Sequence, residues 1–185
     1  MANSNAPSGF SPVNGNPQVH MYYKSAAVQL GIGDPVVRAA DSADPKGYAA
    51  VTRATTGSYV TGVVVGIVVD STRTYPYLKS GDSGYVLVAD GPNEEFHVLD
   101  NGGASGLVVT QIGQHINSVA AIDCNTTSGR SKYALDTEAV ATNNTWLVVR
   151  KDDKPGNGVG AYCRWIVKPN LHTEVNAGVA NLKEI

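Results

Sequence analysis

The chain has 185 residues and a mass of 19.3 kDa, about the length of one domain. Area scaling gives it roughly 8,500 Å² of folded surface with about 70% of the unfolded surface buried, so a core needs no metal or disulfide staples. The 14 Lys+Arg against 16 Asp+Glu leave a net charge of -2, which argues against a nucleic-acid binder that works by neutralising phosphates, and 42% hydrophobic content argues against wholesale disorder.

Residues Met1 to Pro17 hold three Pro, four Asn and two Gly, too little apolar surface to order by themselves. They read as an extended N-terminal arm (1–17) ahead of a β-rich domain (18–185). The opening MANSNAPSGF has neither the positive nor the apolar region of a secretion signal. Fully extended, the arm spans roughly 55 Å at about 3.3 Å per residue. Pro7, Phe10, Pro12 and Val13 are its candidate contacts to a neighbouring subunit, with Phe10 as the anchor.

Beyond the arm, 25 Val and 13 Thr against 9 Leu, with 20 Gly, favour pleated strands and tight turns. Period-two alternation marks Gln18–Tyr23, Glu94–Leu99 and Ala161–Val167 as strands. Val19, Met21 and Tyr23 share one face of the first, opposite Gln18, His20 and Tyr22. Tyr59–Val69, Tyr85–Ala89 and Trp146–Val149 are apolar on both faces, as interior strands of a sandwich or barrel are. Turn clusters separate them at Gly31–Pro35, Ser42–Gly47, Ser80–Gly84, Asp90–Asn93, Asn101–Gly106, Asn125–Gly129 and Lys154–Gly160. The best helix candidate, Asp136 to Ala141, is one or two turns long. The apolar run from Gly62 to Val69 is far shorter than the ~20 residues of a membrane-spanning helix. The expected fold is all-β: a single compact β-sandwich or barrel-like domain with an extended N-terminal arm.

Few motifs carry chemistry. Gly81-Asp82-Ser83-Gly84 copies the segment around the nucleophile of chymotrypsin-like proteases, whose mechanism needs a histidine base beside the serine hydroxyl. His20 is the one histidine that precedes Ser83, and Tyr85 stands where those proteases have Gly, so a turn between strands is the preferred reading. His20, His97, His115 and His172 lack metal-ligand spacing and read as surface or strand-edge residues. Asp41 and Asp44, like Asp152 and Asp153, belong to no calcium loop and read as turn formers. Cys124 and Cys163 read as two buried thiols, and Glu94 and Glu95 as neighbours on opposite strand faces. The Asn-x-Ser/Thr matches at Asn125 and Asn143–Asn144 have no bearing without secretion. No catalytic residue, metal or cofactor is expected. Tyr75 and Tyr77, flanking a proline, are candidate interface aromatics.

Several segments, taken in order, resemble the capsid decoration (cement) proteins of tailed bacteriophages. They are Met1-Ala-Asn-Ser-Asn-Ala-Pro-Ser-Gly-Phe-Ser-Pro-Val13, Leu30-Gly-Ile-Gly-Asp-Pro-Val-Val37, Gly62-Val-Val-Val-Gly-Ile-Val-Val-Asp70 and Asp90-Gly-Pro-Asn-Glu-Glu-Phe-His-Val98. Ser128-Gly-Arg-Ser131, followed by Leu135-Asp136, completes the series. The resemblance implies a β-rich homo-oligomer, dimer or trimer, bound to major capsid protein on the outer surface of the virion and made in the host bacterial cytoplasm. It implies no partnership with nucleic acid or membrane. Two alternatives remain: a carbohydrate adhesion module presenting Tyr75, Tyr77 or the 101–106 loop to a host surface, and a small serine protease using Ser83.

Overall fold

The computed structural model of the chain describes residues 3–24, 27–44, 46–68, 75–103, 105–119, 122–140 and 144–175. Met1, Val69, Asp70, Ala141 and Asn143, and the side chains of Asp41 and Ser42, which figure in the sequence reading, lie outside the description. The fold is all-β. Its strands are β1 (Ser11–Pro12), β2 (Val19–Lys24), β3 (Pro35–Ala43), β4 (Ala49–Arg53), β5 (Gly62–Ile67), β6 (Gly84–Ala89), β7 (Phe96–Leu99), β8 (His115–Ser118), β9 (Leu135–Val140), β10 (Trp146–Lys151) and β11 (Arg164–Pro169).

These strands form two layers. A closed barrel runs β2-β4-β3-β5-β6, and a six-stranded sheet runs β1-β7-β11-β10-β8-β9. All pairings between these strands are antiparallel except β2 with β4. Two apolar cores result. One fills the barrel with Tyr22, Leu30, Val36, Val51, Val64 and Val86 among others. The other lies under the sheet around Phe96, Tyr133, Trp146 and Trp165, and it also takes Val63 from β5 and Ala89 from β6. Val63 and Val64 are neighbours on one strand, so their side chains leave on opposite faces, one into each core. The double-faced apolarity of 62–67 thus has a cause: β5 is a wall shared by two cores.

Two local expectations change, and the inner face of β2 becomes clear. Within β2 it is Tyr22 and Lys24 that point inward and are buried, while Val19 stays 37% exposed. The barrel end needs polar groups there, because Lys24 Nζ donates to the carbonyls of Lys79 and Asp82 at 2.6 and 2.5 Å. The segment proposed as a helix is strand β9, paired through Ser118↔Leu135 and Ile116↔Val140; cross-strand pairing outweighs a weak helical preference. His172 is not at the surface. It is buried, its Nε2 lies 2.8 Å from the Thr61 carbonyl, and its Nδ1 accepts the Glu174 N–H.

Candidate functional site

The Gly31–Val36 segment organises the N-terminal side of the molecule. Gly33, at φ 94°, donates to the Val64 carbonyl at 2.7 Å and accepts from the Phe10 N–H at 3.0 Å. A Cβ at Gly33 would meet the Ser8 carbonyl at 2.8 Å, so this close approach requires glycine. Asp34 closes the turn by accepting the Gly31 N–H at 2.8 Å. Burial pushes its carboxyl up to about 6, and its Oδ1 has no hydrogen-bond partner.

This turn decides where the N-terminal candidates sit. Phe10 is 2% exposed and stacks on Trp146, ring centroids 4.3 Å apart. The sheet core of its own chain offers Phe10 a socket, and burial there removes the ring from water. Pro12 pairs with Phe96, and Val13 donates to the Glu95 carbonyl at 2.8 Å; both are half-buried, whereas Pro7 is exposed.

The two tyrosines separate in the same way. Tyr75 is 45% exposed and carries the Lys79 ammonium 3.2 Å from its ring centroid, while Tyr77 is only 7% exposed and tilts against Tyr75 at 5.7 Å. Tyr75 presents a cation–π surface, and Tyr77 supports it from within.

Ser83 lies exposed in a turn that Gly81 enters at φ 96°. The register sets His20 opposite Val88 and Lys24 opposite Gly84, which separates His20 from the serine by about five residues, or ~16 Å along the sheet. His20 instead places Nδ1 2.9 Å from both oxygens of Asp90, which also accepts the Tyr22 hydroxyl at 2.7 Å. His20 is therefore not placed to act as a base on Ser83.

Of the remaining groups, His97 Nδ1 lies 3.4 Å from Asp152, and burial holds its imidazole below the usual range. Cys124 and Cys163 are buried and free; burial pushes the Cys163 thiol up to about 11, far from a reactive thiolate. Asp100, buried, accepts four N–H groups, from Gly102 and Tyr162 on Oδ1 and from Leu107 and the Trp165 indole on Oδ2. It fixes the 101–107 loop to the sheet.

Sequence reasoning missed one surface feature. Val108, Val109 and Ile112 are 41%, 55% and 42% exposed on a single loop containing a short 3₁₀ turn, Val109–Gln111. In sequence the run Leu107-Val-Val-Thr-Gln-Ile112 looks like another buried strand; the flanking Gly106 and Gly113, both at positive φ, are the signal that it is a loop. Comparisons of the chain with sequence families, with curated proteins and with solved structures find no match in any of the three.

Proposed function

We propose that this protein is a virion structural component that decorates the outer surface of an icosahedral phage capsid and cements adjacent major capsid protein subunits non-covalently. The observation that carries the reading is the ordered resemblance of its segments to decoration proteins, from the N-terminal stretch through Leu30–Val37 and Asp90–Val98. The surface supports it. Large apolar side chains at Val108, Val109 and Ile112, together with Tyr75 and Pro7, stand in water on a chain with little charge to oppose contact. In this reading the exposed groups make the contacts, and Phe10 and Tyr77, buried in their own chain, serve the fold. Binding is to protein, to the shell and to further copies of the same chain, and calls on no cofactor.

The mechanism is linkage. A ligand that binds the assembled shell and not its separated subunits lowers the free energy of the shell by its binding free energy. Many copies bridging neighbouring subunits multiply the effect. Shells lacking the protein are expected to open at lower temperature than decorated shells in a thermal-release assay. Equal opening temperatures, with the protein demonstrably bound, would remove the cementing role; failure to bind shells at all would remove the reading.

A further inference from the structure

Where the N-terminal segment crosses the loop between β10 and β11, the surface holds a cavity of about 290 Å³. Its lining includes two cations, Lys154 and Arg164, and no acidic residue. Neither cation is strongly neutralised. Among the described residues Arg164 has one ion pair, with Asp152 at 4.0 Å, and Lys154 has none. Both charges act on the same locality, since each helps to depress the basicity of His97. With Asp152 counted, the site carries a net charge of about one positive unit, suited to a monoanion rather than a phosphate dianion.

The walls are built before any ligand arrives. Asn3 Nδ2 donates to the carbonyls of Gly158 and Ala161 at 2.8 and 3.0 Å, tying the N-terminal segment across the loop. Asn157 donates to the carbonyls of Asp152 and Arg164 and accepts the Arg164 N–H, which fixes the strand carrying the guanidinium. Tyr162 is the one non-glycine residue at positive φ, 60°, among the described residues. That conformation costs roughly 1–2 kcal/mol for an L-residue and is held by the 2.7 Å bond from its N–H to Asp100. A Cβ on Gly102 would strike the Tyr162 ring, so glycine there makes room for the aromatic wall. Tyr162 and Leu99 thus add apolar area beside the two cations.

We propose that this cavity binds a hexuronic acid residue, its carboxylate held by Arg164 and Lys154 and the C–H face of its ring against Tyr162 and Leu99. A guanidinium matches a carboxylate in two parallel hydrogen bonds, and the volume, at the lower end for ligand pockets, admits one ring rather than a chain. The Asn3 Oδ1 is left to accept a ring hydroxyl. The site is independent of the capsid reading, and either can fail without the other.

The test is titration of the full-length, isotope-labelled protein with sodium glucuronate, glucose and inorganic phosphate, followed by amide NMR. Glucuronate is expected to bind roughly tenfold tighter than either of the others, shifting Gly156, Asn157 and Tyr162. Lys154→Ala, on an exposed loop, is expected to weaken it about fivefold. Tyr162→Gly, which tolerates the same backbone, is expected to weaken it as well, and Lys154→Ala decides alone if that variant does not fold. Phosphate or glucose binding as tightly as glucuronate, shifts confined to another region, or unchanged affinity in Lys154→Ala would overturn the proposal.

Discussion

Asp34 shows how one side chain couples packing to pH. It is fully buried in the turn that holds Phe10, and desolvation raises its carboxyl from 3.8 to about 6, the nearby Ser131 side chain and the Gly31 N–H pulling the other way. The folded state therefore holds the proton more tightly than the unfolded state does. The group favours folding most below about pH 4 and loses that contribution as the pH rises through about 6, above which the stability no longer changes on its account. The difference corresponds to on the order of 3 kcal/mol. Asp34→Asn keeps an acceptor for the Gly31 N–H and cannot ionise. Urea unfolding is expected to find the variant more stable than the parent at about pH 7.5, similar near pH 4, with a flatter slope between; parallel profiles would show that Asp34 does not cause the slope. Nothing in the residue order announces this burial. Gly-Asp-Pro reads as a solvated turn, and it is covered because Phe10 and Ser131 come from distant parts of the chain to cover it.

The strands were legible where alternation or length was clear. Phe96 and Val98, and likewise Cys163, Trp165 and Val167, are buried as period two requires. The pattern fails where an element borrows its identity from a partner. In β2 a lysine and a tyrosine turn inward because the loop carbonyls and Asp90 there need donors. Strand β9 exists through its pairing with β8, and β1 is a two-residue strand on the edge of β7, paired as Ser11↔His97 and Pro12↔Phe96. So short a strand is held by its neighbour Phe10. Phe10→Ala is expected to cost about 3–5 kcal/mol, the range for a buried aromatic, and to raise amide exchange at Val13, which hydrogen-bonds next to the strand. Unchanged exchange there would mean that the backbone ladder alone fixes the segment.

At the scale of the molecule, the barrel and the sheet share β5 and β6 as a common wall, with Val63 and Ala89 in one core and Val64 and Val88 in the other. A wall with both faces packed cannot loosen on one side alone. Both tryptophans, Trp146 and Trp165, belong to the sheet core, whereas Val36 and Val51 belong to the barrel core. Denaturation followed by tryptophan fluorescence and by the NMR signals of Val36 and Val51 is expected to give one midpoint. Separated midpoints would mean two independently folding halves. The single all-β domain was legible in composition and turn spacing, but its division into a barrel and a sheet was not, because which strands pair is decided by contacts far apart in sequence.

The seat of Phe10 also bears on the order of events at the ribosome. The ring rests on Trp146 and its strand rests on β7, itself completed by β11. The segment that carries Phe10 leaves the exit tunnel well before its partners and has nowhere to dock until residues 146–169 have followed. During synthesis it trails in solution as a tether, and its docking closes the sheet edge as one of the last acts of folding.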